Sequence, residues 1–413
     1  MTEIAQESTS SESGETVSLL ASLAIIILIL TYCVNAMDRA LFPLLLTDVR
    51  REYGLNLQQA GLMSTIFTFG MAIAGLPTGY LTARFSRKTV MQIGILIYSV
   101  GTIVTTAAVG YGDMLVYRAI TGVGEAMQLT ALLAIFAGYF TRYKAAALGC
   151  LNIAYALGAA IAPALGTSLL VAYGSWRVPM IVFGAIGLGM MVVVAAVLRP
   201  WLSEAESQKA ATTTAATGGA TTLRNTNTII LVCLSIAFGL ALYGYLGMYP
   251  TFLREELHFA PPDIGRVMSS YGLGVLVSIF TGWLGDRFSA RIVLPIAFVA
   301  GAAICLALFN GPTGVMEQAT LSCLLGMIFS GTLFVNIAGY SVKSVSGPLA
   351  GRASGIFITA LYGSATVAGY IIGWVASLAG WTKAGNIQLV GLCLFAAVLS
   401  LFLKPALMAA RAK

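Results

Sequence analysis

Apolar residues in this chain come in long runs separated by short polar stretches. Twelve such runs are visible, at 18–46, 59–82, 89–109, 112–140, 145–173, 178–198, 227–252, 262–285, 291–310, 315–341, 351–379 and 384–404. Each is long enough to cross a hydrocarbon core of about 30 Å as an α-helix. The pattern is broken once in the middle. Residues Thr212–Thr222 are Thr, Ala and Gly only, with Glu204, Glu206 and Lys209 just before them. Such a segment predicts a flexible linker. The predicted layout is therefore a polar tail (1–16), a six-helix bundle (17–198), a linker (199–226), a second six-helix bundle (227–404) and a short tail (405–413).

Composition agrees with this layout. The 413 residues are 58% hydrophobic and 9% charged, against roughly 25% charged in soluble domains. The fold class is an all-α polytopic membrane protein, with no room for a sizeable soluble domain. The net charge of +7 is not a nucleic-acid footprint, because its distribution follows topology. With the N-terminus inside, 15 Lys and Arg fall in cytoplasmic segments and 6 in outer ones. That asymmetry predicts both termini in the cytoplasm and suits a bacterial inner membrane. Residues 1–16 hold four Glu and no Lys or Arg, unlike a secretory signal, and read as a disordered tail. The six Cys lie in or beside the apolar runs with no metal-ligand or disulfide spacing.

The two halves share a loop. After the second run stands Gly79-Tyr-Leu-Thr-Ala-Arg84-Phe-Ser-Arg87-Lys88, and after the eighth Gly282-Trp-Leu-Gly-Asp286-Arg287-Phe-Ser-Ala-Arg291, 203 residues later. Duplicated halves of parallel topology are one transporter plan. The motif G-x-x-x-D-R-x-x-x-R/K in these two places resembles the signature loop of the major facilitator superfamily, over the whole chain. The resemblance implies two pseudo-symmetric six-helix bundles, alternating access, and gating roles for the loop residues Gly79, Arg84, Arg87, Lys88, Gly282, Asp286, Arg287 and Arg291. The first copy departs from the family: Ala83 stands where Asp is usual. This suggests a weaker lock in the first half, or one carried by Asp286 in the second.

Four charges remain inside apolar runs once the loops are assigned: Asp38, Arg39, Arg118 and Glu125. An ionised group at mid-membrane costs at least about 2.5–3.5 kcal/mol, so such residues usually mark a proton, ion or substrate path. Positions 118, 122 and 125 share one helix face, and Gly122 and Gly124 allow a neighbouring helix to approach closely. Snorkelling to the surface and a purely structural ion pair are the bland alternatives. Leu41–Leu46 continues apolar beyond Asp38–Arg39, which argues against snorkelling. The sequence leaves open whether Asp38–Arg39 lies deep enough to share a cavity with Glu125.

D-R in the first helix and R-x-x-x-G-x-x-E-A in the fourth are similar to the anion:cation symporter branch, which moves organic anions with protons. That resemblance implies Asp38 and Glu125 as the proton-coupling pair, with Arg39 and Arg118 as cationic partners of those acids or of substrate. The spinster-like branch also carries D-R and a fourth-helix Glu, and often the loop Ser found here twice (Ser86, Ser289). Desolvation and a nearby guanidinium pull a buried carboxylate's proton affinity in opposite directions, so helix movement can link protonation to conformation.

The second half has no clear intramembrane carboxylate. It offers neutral groups, of which Tyr243, Asn336, Thr359 and Tyr362 are candidates for substrate contact, with Tyr155 in the first half. Glycines and Pro250 in the seventh run, and glycines in the eleventh, predict bends beside close packing. The single His258 and the lack of catalytic motifs argue against an enzyme. No cofactor is expected beyond a coupling proton. The leading expectation is proton-coupled symport of a small organic anion (a monocarboxylate, sugar acid or aromatic acid) by a monomer in the lipid bilayer. The alternative is proton-driven export of an amphipathic drug or lysolipid.

Overall fold

The computed structural model describes residues 20–140, 149–204 and 219–408, apart from the side chains of Leu76, Ile279 and Asp286. The expected tail 1–16, linker residues 205–218 and the chain end 409–413 lie outside the described residues. Ten described helices are long and apolar enough to cross a bilayer: α1 (Leu20–Tyr53), α3 (Arg87–Thr105), α4 (Tyr111–Tyr139), α5 (Gly149–Tyr173), α6 (Arg177–Val197), α7 (Thr226–Glu255), α9 (Ala290–Asn310), α10 (Val315–Lys343), α11 (Gly347–Ala379) and α12 (Trp381–Ser400). Broken helices fill the second and eighth places. Here α2 is Leu57–Thr65 followed by Phe67–Arg84, and α8 is Pro261–Val275 followed by Ser278–Arg287. The chain thus runs as twelve segments in the order of the apolar runs.

Local chemistry sets the helix starts. Asn56 and Gln59 form a reciprocal capping box at α2. Ser86 and Ser289, the serines of the duplicated loop, are the N-caps of α3 and α9. The loop's basic residue then reaches the far end of each half. Lys88 Nζ donates to the carbonyls of Ala195 (2.8 Å) and Leu198 (2.6 Å). Arg291 Nε donates to that of Leu401 (2.7 Å). Residues 88 and 291, and likewise 198 and 401, are 203 apart, so the duplication keeps its register from the second segment to the last. Cationic donors on the terminal carbonyls of a helix are favourable. We expect the double variant Lys88→Met/Arg291→Met to lose about 1–2 kcal/mol, read as a lower melting temperature in detergent. An unchanged melting temperature contradicts that role.

Within the first half, α1 packs on α5 and α6, and α3 and α4 on each other; α2 packs on α4, and α3 on α6. In the second half α7 lies on α11, α8 on α10 and α9 on α12. The halves meet through α2 with α11, α5 with α8 and α1 with α7. Large apolar side chains face outward around the bundle, including Phe280, Ile296 and Val192. A soluble protein would not leave such a belt in water; lipid tails accept it.

The two ends of the bundle differ. At the end carrying the duplicated basic loops, an added Cβ at Gly75, Gly79, Gly339, Gly351 or Gly355 would meet nothing within 4 Å. At the opposite end the halves are in backbone contact. A Cβ on Gly61 would lie 1.9 Å from the Gly369 carbonyl oxygen, and one on Gly272 2.3 Å from the Ala160 nitrogen. Arg50 pairs with Glu255 across the halves there, and Gln58 Nε2 donates to Ser377 Oγ at 3.1 Å. Among the described residues, every hydrogen bond or ion pair between the two bundles lies at this end or near mid-depth. Among the described residues, the closest backbone approach of the two halves is on this side.

Several glycines of α7 and α11 serve packing, while Gly363 faces open space. Gly239 lies on the Leu361 carbonyl, Gly247 against Ser64, and Gly373 on the Leu57 carbonyl, while α7 continues as one helix through Pro250. The irregularities fall elsewhere: at Ile66 and Leu276–Val277, and in π-helical turns at Met327–Leu333 and Asn386–Gly391. The second segment also bends by 49° between Gly75 and Pro77, where a proline removes a backbone donor.

Candidate functional site

Two adjoining cavities, of about 580 Å³ and 470 Å³, lie between the halves. Arg39, Tyr155 and Tyr243 line both. The first also takes Ser64 and Phe67 from α2 and Met268 and Tyr271 from α8. The second takes Tyr32 from α1, Asn152 from α5, Ser278 from α8, Ser330 and Phe334 from α10, and Tyr362 from α11. Among these wall residues Arg39 is the one charged side chain.

Behind Arg39 lies the charge cluster. Arg39 Nε is 3.3 Å from Glu125 Oε2, and their side chains are 7% and 0% exposed. Asp38 is also buried, and Thr102 Oγ1 donates to its Oδ1 at 2.7 Å and its Oδ2 at 3.0 Å. Arg118 is fully buried. Its guanidinium carbon sits 4.6 Å from the ring centroid of Phe42 and 5.6 Å from that of Phe67, within cation–π range. None of its nitrogens, and neither carboxylate oxygen of Glu125, has a hydrogen-bond partner among the described residues. Formally the four charges cancel, but the hydrogen bonding is incomplete. A cluster left short of partners in low dielectric is costly, and such cost is kept where charges change partners.

Helix packing holds this arrangement. Gly122 seats on the Phe67 carbonyl, where a Cβ would lie at 1.8 Å, and Gly124 packs on the backbone of Tyr98 and Gly94. Asn35 Nδ2 donates to Gln128 Oε1 at 2.8 Å, and Gln128 Nε2 to the Thr31 carbonyl at 3.1 Å. These bonds pin α1 to α4 on one side of the ion pair.

The other predicted site residues divide. Tyr155, Tyr243 and Tyr362 reach the cavity with Arg39, and Tyr243 packs edge-on to Tyr362 at 5.9 Å between ring centroids. Asn336 lies away from both cavities. Its Nδ2 donates to the carbonyls of Thr332 (2.9 Å) and Thr281 (3.2 Å), so its NH2 group joins α10 to α8. Thr359 is exposed and lines neither cavity. In the loops, Arg84 lies over Tyr80 and Arg287 over Trp283. The backbone N–H groups of Arg87 and Lys88 donate to Glu204 at 3.2 and 3.3 Å, which brings a carboxylate to the loop copy that lacks Asp. The side chain of Asp286 lies outside the described residues.

Thr102, Tyr32, Phe67, Ser278 and Ser330 are site residues that sequence reasoning missed. Thr102 had a signal: Ser99, Thr102 and Thr105 recur every third position in an otherwise apolar helix, and all three are buried. Ser330 lies in the π-helical turn of α10 and shares a 2.6 Å hydrogen bond with Tyr271. Turns of that kind are frequent at functional sites, but no residue pattern announced this one.

Comparison with known proteins agrees with the fold and the twofold plan. The family model described as Major Facilitator Superfamily matches residues 28–367 and again 231–412. The chain is 26% identical over 374 residues to a cis,cis-muconate transport protein of Acinetobacter baylyi, covering 86% of this chain and 87% of that one. It is 24% identical over 357 residues to a triacylglyceride transporter of Mycolicibacterium hassiacum, covering 85% of this chain but 59% of that longer one. A solved bacterial homologue of the human lysosomal transporter Spinster, inward-facing and unoccupied, superposes with a TM-score of 0.72 at 16% identity over 94% of this chain and 96% of that one. Twelve apolar segments in two like halves, a central cavity and the family match lead to one conclusion: this chain is an integral membrane protein of the major facilitator superfamily, a transporter and not an enzyme.

Proposed function

We propose that this transporter carries a small organic anion together with protons, by alternating access between its two halves. The observation that carries the reading is the double position of Arg39, which lines the cavity and pairs with buried Glu125. One guanidinium thus serves two anions in turn. When a carboxylate substrate engages Arg39, Glu125 loses its ion-pair partner, and a proton on Glu125 removes the stranded charge. Substrate and proton then bind together. Asp38 and Arg118 complete the cluster, and Tyr155, Tyr243 and Tyr362 supply neutral hydrogen bonds. The positive-inside count makes the basic end cytoplasmic, with both termini there, in a bacterial inner membrane. The contacts of Gly61 with Gly369 and of Arg50 with Glu255 then close the outer side, as an inward-facing state requires. One chain holds the whole pathway, which favours a monomer without further cofactor.

The chain's similarity to a muconate transport protein supports an organic acid. A second reading, proton-driven export of an amphipathic drug or lysolipid, draws on the apolar walls at Phe67, Leu246, Met268 and Phe334. The two differ in substrate charge, since Arg39 attracts an anion and repels a lipophilic cation. The test is uptake of a panel of organic acids into proteoliposomes, with and without a pH gradient acid outside. We expect accumulation of at least one acid with the gradient, and equilibration alone without it. A panel of acids ignored, with lipophilic cations or lysolipids moved against the gradient, sinks the anion reading.

A further inference from the structure

The cavity and the charge cluster touch at two places, Arg39 and Phe67. Arg39 joins them; Phe67 separates them. Its ring lines the cavity on one side and lies over the Arg118 guanidinium at 5.6 Å on the other. It also packs on Tyr243 of the opposite half, 6.0 Å between centroids, and is 3% exposed. Its backbone is fixed by the contact with Gly122, one turn beyond Arg118. An aromatic face can satisfy part of a guanidinium's charge while supplying no acceptor atom and admitting no water. Arg118 is therefore a second cation, fully buried and without hydrogen-bond partners, held one ring's thickness from the cavity.

We propose that Phe67 sets the charge of the accepted substrate: by screening Arg118 it leaves a single cationic contact, Arg39, and so selects monoanions over dianions. This rests on the organic-anion reading above and narrows it, and it sets this chain apart from the relative named for cis,cis-muconate, a dicarboxylate. A monocarboxylate meets Arg39 with its charge and the hydroxyls of Ser64, Tyr155 or Tyr243 with other polar atoms. The second carboxylate of a dianion finds only neutral donors and apolar surface. Burying it unpaired is strongly unfavourable. Removing the ring joins the Arg118 site to the cavity and supplies the missing partner.

The test measures ligand-induced stabilisation of the full chain purified in detergent, using two pairs of acids that differ by one carboxylate: benzoate with isophthalate, and hexanoate with adipate. We expect the wild type to bind the monocarboxylate of at least one pair about tenfold or more tighter. In Phe67→Ala that preference should shrink to about twofold or reverse. Phe67→Leu, which still fills the site, is the second variant should the first not fold, and is expected in between. A preference unchanged in a folded variant, or dicarboxylates bound more tightly by the wild type, overturns the assignment. If the wild type accumulates acids yet the variants keep its preference, only the role of Phe67 fails. If neither wild type nor variants bind any acid, the organic-anion reading fails with it.

Discussion

Glu125→Gln is expected to abolish gradient-driven accumulation of substrate, leaving equilibration alone, while substrate exchange across the membrane continues. The reasoning starts from burial. Glu125 is fully buried, its oxygens lack hydrogen-bond donors, and Arg39 is the one ion-pair partner found for it. Ionised, it needs Arg39; protonated, it does not. Glutamine copies the protonated state permanently. Arg39 is then free to take an anion at any pH, and no proton need accompany it. Exchange, which needs substrate on both sides but no net proton movement, survives. Asp38→Asn should also lose accumulation, because it leaves Arg39 and Arg118 facing one acid in place of two and disturbs the Thr102 contacts. Retained accumulation in both variants sinks the coupling role. Radiolabelled uptake and counterflow in proteoliposomes separate the two activities.

Gly61→Val is expected to stop transport almost completely, by more than about tenfold, without unfolding the protein. At Gly61 a Cβ would sit 1.9 Å from the Gly369 carbonyl oxygen, and at Gly369 one would sit 2.0 Å from that of Gly61. The clash is with backbone on both sides, so no rotamer relieves it. The halves can avoid it only by staying apart at the end where they now touch. That arrangement is the other limb of alternating access, and the variant should be held there. Thr65 Oγ1 to the Thr366 carbonyl (2.8 Å) and Gln58 to Ser377 are bonds lost in the separated state. Labelling of a cysteine placed at Ser64, in a background lacking the six native cysteines, reads the state directly. A membrane-impermeant thiol reagent applied from the end opposite the basic loops should reach it in Gly61→Val and not in the parent. Equal labelling, or normal transport by the variant, contradicts the gate.

The sequence made the frame legible because membrane spans need only length and apolarity, and twelve runs supplied both. The duplicated loop was legible for a stronger reason. Its serines cap helices and its last basic residue ties down the final helix of each half, so residue type and spacing are both constrained. Depth was less legible. Asp38–Arg39 could be read as a helix end or as a cavity pair, and only the three-dimensional placement of α1 against α4 puts Arg39 on Glu125. Asn336 shows the converse problem. A buried amide must find partners, and here a carbonyl of its own helix and one of α8 take its NH2 group. Phe67 was invisible because its role comes from what lies on either side of its ring. The 49° bend of α2 falls at Pro77, which the residue pattern could have flagged, whereas several glycines of α7 and α11 are used for close contact.

The central claim is that one guanidinium, shared between substrate and a buried acid, makes an organic anion travel with a proton. The most direct measurement is of the proton itself. Proteoliposomes in weakly buffered medium, with the membrane potential clamped, receive a pulse of an acid that the protein transports. The external pH is followed within the first seconds. The account predicts that the medium turns alkaline as protons enter with the anion, and that Glu125→Gln shows substrate movement without this change. Acidification on substrate entry, or substrate uptake by the wild type with no pH change, contradicts it.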